Sequence, residues 1–173
     1  AMLAHYGYSY PTDVVIDGYS QGGAVALGVA RQLEEMEYQG GIDWTIRKLY
    51  AGAGPYDPAA TYDYCVSRDT MGIPAAIPLI VMGLNDAYDM GLKIEDVFME
   101  PLLSNYDEWV ASKTMTVSRI NELMGSVVMS ELMTPEALDP THSIAETLYE
   151  MLLRNSNVGY NLQSPAYFLH SVD

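Results

Sequence analysis

Between residues 12 and 54 the chain switches from strand to helix and back to strand, and nothing else in it restricts the fold so far. Thr12-Asp13-Val14-Val15-Ile16-Asp17 is a short β-branched run and reads as a strand. Gly18-Tyr19-Ser20-Gln21-Gly22, followed by Gly23, leaves almost no length for a turn. From Gln21 to about Met36 the apolar residues recur at helical spacing. Val25, Val29, Leu33 and Met36 fall on one face, with Ala26 and Ala30 beside them. Gly40-Gly41 ends that helix. Ile46-Arg47-Lys48-Leu49-Tyr50-Ala51-Gly52-Ala53-Gly54 reads as a second strand that finishes in small residues. A strand–helix–strand unit of this length implies a parallel pair joined by a right-handed crossover. The turn is tight enough to force Ser20 into a strained backbone conformation. Gly18 and Gly22 are expected to keep the neighbouring strands and the helix from clashing with it.

A serine in that place has a chemical use. Its hydroxyl projects above the sheet edge at a helix N-terminus, where the helix dipole and free N–H groups favour developing negative charge. The N–H of Gln21 would supply one donor to an oxyanion hole. Five residues with three fixed are weak evidence alone. A β-branched strand running in and a helix running out make the pattern more specific. The plainer alternative is a glycine turn whose serine merely caps the helix.

The rest of the chain has another character. Of 173 residues, 49% are hydrophobic and 18% charged, which supports a packed core and excludes wholesale disorder. The net charge of −15 argues against nucleic acid and anionic membrane as partners, since both require a cationic footprint. Cys65 is the single cysteine, so no disulfide forms within the chain and no cysteine-based metal site exists. His5, His142 and His170 stand far apart, and neither a metal nor an organic cofactor is expected. No run of about 18 apolar residues occurs, so no transmembrane helix is expected.

Residues 61–160 hold five basic and fifteen acidic residues and nine of the eleven methionines. They read almost entirely as helices, roughly over 72–91, 94–112, 114–125, 126–133, 135–138 and 142–155. Pro74, Pro78, Pro101, Pro135 and Pro140 interrupt them. Thr134-Pro135-Glu136 and Thr141-His142-Ser143 look like helix starts. The organisation expected is an α/β core over 1–57, a helical insertion over 58–160 and a core strand within 161–173. The fold class is α/β: about three parallel strands with a large all-helical cap before the last. Most of the methionines and leucines of that cap belong to ordinary packing. Apolar segments such as Ile73–Met82 could wall a tunnel above Ser20, and methionine adapts to irregular apolar shapes.

On these residues the chain resembles the α/β-hydrolase superfamily of serine esterases and lipases. Thr12–Asp57 matches the stretch from the strand before the nucleophile to the strand after it, and Pro165–Asp173 resembles the strand that follows. The Gly-Tyr-Ser-Gln-Gly turn is also similar to that of cutinases, but those are small and disulfide-bonded. Ser20-Gln21-Gly22-Gly23 before a small-residue helix resembles the acyl-protein thioesterases, which are more compact. A helical insertion of roughly a hundred residues between Pro55 and Pro165 looks instead like the cap of the lid-bearing secretory lipases.

The resemblance implies Ser20 as nucleophile, Gln21 in the oxyanion hole and Gly18 and Gly22 as the glycines of the elbow. It implies an acid soon after the third strand, at the residue following Asp173 or, with a shift of one, at Asp173 itself. The triad histidine and the other oxyanion-hole loop would then lie outside the sequence. In one lipase branch the acid follows the strand that here ends before Asp57, so Ser20–Asp57–His170 is also permitted by chain order. The plainer readings are that Asp57-Pro58 starts a helix or caps a loop and that His170 is structural. His142 reads as part of a helix N-terminus, Asp13 and Asp17 as strand flanks, and Asp86, Asp89, Glu95, Asp96, Asp107 and Glu108 as a solvated face.

The function these implications describe is hydrolysis of small-molecule or lipid carboxylic esters through an acyl-enzyme. Thioesters or amides are alternative substrates, and a non-catalytic binding relative is the rival from another class. Export from the cytoplasm is implied by the resemblance only, and oligomeric state is not legible. Ala1–Gly7 reads as the last turn of a helix stopped by Gly7, and Pro165–His170 as a buried strand with only Ser171, Val172 and Asp173 after it. Both suggest an excerpt of a longer protein.

Overall fold

The computed structural model describes residues 5–7, 12–38 and 44–171. The expectations for Ala1–Ala4, for the Gly40-Gly41 break and for Asp173 lie outside these residues. The described chain divides into two compact units. One runs through Tyr56 and resumes at Asn157, and the other is Asp57–Ser156.

The first unit is a parallel three-stranded sheet with one long helix. Strand β1 is Asp13–Tyr19, helix α1 Gln21–Tyr38, strand β2 Thr45–Gly52 and strand β3 Ala166–Leu169, in the sheet order β1-β2-β3. The β1–β2 register runs from Asp13 opposite Thr45 to Tyr19 opposite Gly52, with an irregularity between Val14 and Val15. In the other pair Leu49 lies opposite Ala166 and Gly52 opposite Leu169. β2 is the central strand and buries Ile46, Leu49 and Ala51.

α1 meets the sheet through a different face from the one its spacing predicted. Ala26, Leu27 and Ala30 are buried against Val14, Ile16, Leu49 and Ala51. Val25 and Val29 are 57% and 43% exposed and Met36 is also exposed, while Leu33 is partly buried against this core. The physical reason is closeness. Alanines let a helix backbone approach a sheet, and both stripes of this helix are apolar enough to satisfy a periodicity count. β3 is likewise not the buried strand expected. Tyr167, Phe168 and Leu169 are exposed, because among the described residues β3 is an edge that pairs only with β2.

The second unit is helical apart from one isolated bridge, Phe98 to Met133. Its helices are α2 Pro58–Arg68, α3 Ala76–Tyr88, α4 Ile94–Val97, α5 Leu102–Tyr106 with a π-helical turn Asp107–Ala111, α6 Val117–Met124, α7 Met129–Leu132, α8 Pro135–Leu138 and α9 Ser143–Arg154. The expected helix over 94–112 is broken between Val97 and Leu102. α2 was missing from the expected set, since its only fully buried side chains are Ala59 and Cys65 and its apolar signal is weak. Thr134 and His142 start helices as anticipated, by accepting from the N–H groups of Ala137 and Ile144. Met124, Met129, Met133 and Met151 lie in the core with Phe98, Leu102, Ile120, Leu132 and Leu148.

Candidate active site

Ser20 stands alone between β1 and α1 with φ of 55°, in the left-handed region. For a residue with a Cβ this costs on the order of 1–3 kcal/mol and persists only where the surroundings impose it. They do so through the backbone. Ser20 N–H donates to Gly52 O at 2.8 Å, which ties the turn to the end of β2, and Gly23 N–H donates to Ser20 O at 2.8 Å, which closes the first turn of α1. A Cβ at Gly18 would lie 2.0 Å from Gly22 O, and one at Gly23 would lie 2.7 Å from Gly52 O. Strand and helix therefore pack backbone against backbone at these two positions. At Gly22 a Cβ would meet no atom of the described residues within 4 Å.

The side chains of Ser20 and Gln21 are exposed. Among the described residues Ser20 Oγ forms no hydrogen bond and the Gln21 N–H has no acceptor. At the N-terminus of an 18-residue helix such a free N–H faces developing negative charge favourably. A second strained residue lies beside this turn. Ala53, directly after β2, has φ of 48°, and its N–H donates to Leu169 O at 2.7 Å. The only sequence trace of it was the small-residue run Gly52-Ala53-Gly54.

The weaker candidates are occupied elsewhere. The Asp57 carboxylate caps α2 by accepting from Ala60 N–H at 3.1 Å, and Ser156 Oγ donates to it at 3.4 Å. His170 is exposed, with Nδ1 3.2 Å from Ser171 O. Among the described residues no hydrogen bond joins any two of Ser20, Asp57 and His170. His142 Nδ1 accepts from Ile144 N–H at 3.3 Å, and Asp13 pairs with Arg47 at 3.0 Å on the exposed strand edge. Asp96 accepts from Lys93 N–H at 2.8 Å at the start of α4. No group of three or more histidine, cysteine, aspartate or glutamate side chains is placed to hold a metal among the described residues. A cavity of about 480 Å³ in the sheet unit lies between α1 and the approach to β3, lined by Leu27, Tyr56, Tyr160 and Phe168 among others; Ser20 is not part of its wall.

Four residues that sequence reasoning missed, Glu34, Arg31, Asn157 and Tyr56, shape the surroundings of α1. Glu34 accepts from Tyr160 Oη at 3.0 Å, Gln163 N–H at 3.0 Å, and Ser164 N–H and Oγ at 2.8 and 2.5 Å. Burial pushes its carboxyl up, but the donors at Gln163, Ser164 and Tyr160 together outweigh burial and hold it below the ordinary value. Arg31 lies over the Tyr160 ring at 5.3 Å and pairs with Glu35. Asn157 Nδ2 donates to Ala24 O at 3.2 Å, and the Tyr56 hydroxyl is buried without a partner among the described residues. Apart from the Arg31–Glu35 pair, which is local at i,i+4, these contacts have no local sequence signal, since each joins residues more than a hundred positions apart.

No protein-family model matches the chain, and no curated protein matches it. Solved structures do. A ligand-bound form of the rice cell wall degrading esterase LipA from Xanthomonas oryzae matches 98% of the chain with a TM-score of 0.76 at 17% identity. A protein of Legionella pneumophila subsp. pneumophila with only a provisional hydrolase label matches 98% with a TM-score of 0.73, also at 17% identity. The chain spans 45% of the first of these and 44% of the second, a little under half of each.

Proposed function

We propose, from the α/β-hydrolase fold that this chain has, that Ser20 is the nucleophile of a serine hydrolase acting on carboxylic esters. The observation that carries the reading is the strained Ser20 backbone, pinned between the end of β2 and the first turn of α1. A serine that only capped a helix would not require a left-handed conformation, because capping residues take the extended region.

The chemistry then runs as follows. Ser20 Oγ bonds to the ester carbonyl carbon as its proton passes to a base, and the carbonyl electron pair moves onto oxygen. Gln21 N–H donates to that oxyanion, an interaction worth roughly 3 kcal/mol of barrier when the donor is fixed beforehand. Collapse breaks the carbon–alkoxy bond, the alcohol leaves with a proton, and water releases the acyl group by the same steps. The reading assigns the base to none of His5, His142 and His170, and no metal or cofactor enters it. The first matched structure is named as an esterase that degrades rice cell wall. We extend from it a small-molecule or lipid ester as substrate and an exported site of action. The helical insertion is read as a cap.

The test is labelling of the full-length protein with a fluorophosphonate, followed by an acyl chain-length series of p-nitrophenyl esters beside a thioester and an anilide. Labelling is expected at Ser20, lost in Ser20→Ala, with turnover greatest on an ester. A folded protein that takes no label, or takes it equally as Ser20→Ala, would overturn the reading.

A further inference from the structure

The chain leaves the sheet unit after Tyr56 and re-enters it at Asn157. The two residues meet there, with Asn157 N–H donating to Tyr56 O at 2.8 Å. Each also reaches the first turns of α1. The Asn157 amide donates from Nδ2 to Ala24 O at 3.2 Å, and its Oδ1 lies 3.4 Å from where a Cβ at Gly28 would stand. Tyr56 Oη lies 3.2 Å from where a Cβ at Gly23 would stand. The Tyr56 ring is held edge-on to Phe168, with centroids 5.5 Å apart. Gly23 is the residue whose N–H holds Ser20 O. The neck of the insertion and the Ser20 turn are thus joined through two adjacent residues of α1.

Among the described residues the Tyr56 hydroxyl is buried and has no hydrogen-bond partner. A phenylalanine would fill the same space without leaving a polar atom unsatisfied, so packing alone does not account for the hydroxyl. An unpaired group at this point also leaves the arrangement easier to displace than a fully bonded one.

We propose that Asn157 and Tyr56 are positioning residues that pass the state of the insertion's neck to the Ser20 turn, so that the way the neck is held sets the reactivity of Ser20. The proposal rests on the reading of Ser20 as nucleophile. Asn157 fixes Ala24 O and with it the first turn. That turn fixes Ser20 through Gly23 N–H and aims the Gln21 N–H. A substrate that engages the insertion would act on Ser20 through the same neck.

The experiment uses the full-length protein as wild type, Asn157→Ala and Tyr56→Phe. It reads the second-order rate of Ser20 labelling by a small fluorophosphonate, hydrogen exchange of the amides of 20–24, KM and kcat on p-nitrophenyl butyrate, and the thermal midpoint. For Asn157→Ala, labelling and kcat are expected to fall about tenfold or more, as misplacement of a reacting group does, with KM within about twofold. Exchange over 20–24 is expected to rise while the midpoint stays within a few degrees. Tyr56→Phe should keep or raise the midpoint and still change the labelling rate. Wild-type exchange over 20–24 in Asn157→Ala would overturn the coupling, whatever the labelling shows. Failure of the wild type to label would overturn the nucleophile instead, with the exchange measurement still deciding the coupling. Should Asn157→Ala not fold, Asn157→Ser carries the same readouts.

Discussion

Gly18 has the tightest steric constraint of any glycine in the described chain, since an added Cβ would fall 2.0 Å from Gly22 O and 3.0 Å from the Ala26 Cβ. The obstacle is backbone, which cannot rotate away as a side chain can. Gly18→Ala must therefore push α1 off the strand or distort the turn, an overpacking cost of about 1–3 kcal/mol or more. Gly22→Ala meets nothing within 4 Å and sits in a helix without a positive φ. There alanine gains helix propensity, at most about 1 kcal/mol. Urea unfolding followed by far-UV circular dichroism should place Gly18→Ala well below wild type and Gly22→Ala at or above it. Equal midpoints for the two variants would contradict this account of the turn. The motif pointed to both glycines alike, because a pattern records residue types and not what stands opposite them. The same limit hid Gly23, whose Cβ would collide with Gly52 O, an atom on a strand some thirty residues away in sequence.

Among the elements, α1 is fixed at both ends. Its N-terminal turn is bound to β2 through Ser20, and its C-terminal half holds the approach to β3 through Glu34 and Ser164. The Glu34 carboxyl is held below its ordinary value, so its ionised form is the one the fold stabilises. A depressed folded-state value contributes stability that is present above the unfolded value and lost as pH falls through the folded one. Acid should therefore loosen the segment over 160–164. Glu34→Gln removes this contribution, so its thermal midpoint should change less than that of wild type between neutral pH and about pH 3. Parallel curves for the two proteins would show that the clamp carries no pH dependence. Such a clamp is invisible in sequence, where Glu34, Glu35 and Glu37 look like one solvated run. The strand–turn–helix–strand order and the helix starts at Thr134 and His142 were legible, because each is local. The face α1 buries was not, since its valine and alanine stripes are equally periodic and only the sheet decides between them. The body of α2 was not legible either, because its apolar signal is weak, although the plainer reading of Asp57-Pro58 as a helix start matches the cap that Asp57 forms.

At the scale of the whole molecule, most of the buried hydrophobic side chains among the described residues fall into two clusters with no member in common. Ala26, Leu27, Ala30, Ile46, Leu49 and Ala51 belong to the sheet unit, and Phe98, Leu102, Ile120, Leu148 and Met151 are among those of Asp57–Ser156. Cooperative unfolding follows shared burial, so each unit should open with its own free energy. Leu148 tests this, being fully buried on α9 at the centre of the helical cluster. Leu148→Ala removes three buried carbons and leaves a cavity, at a cost of about 2–5 kcal/mol. Native-state hydrogen exchange should show that loss in the amides of α3, α6 and α9, while those of β2, whose Leu49 and Ala51 lie in the other cluster, keep wild-type protection. A fall of the same size in both sets would mean that the clusters unfold as one. The neck at Tyr56 and Asn157 would then be a rigid part of a single core, and Asn157→Ala should in that case lower the global midpoint instead of loosening 20–24 alone.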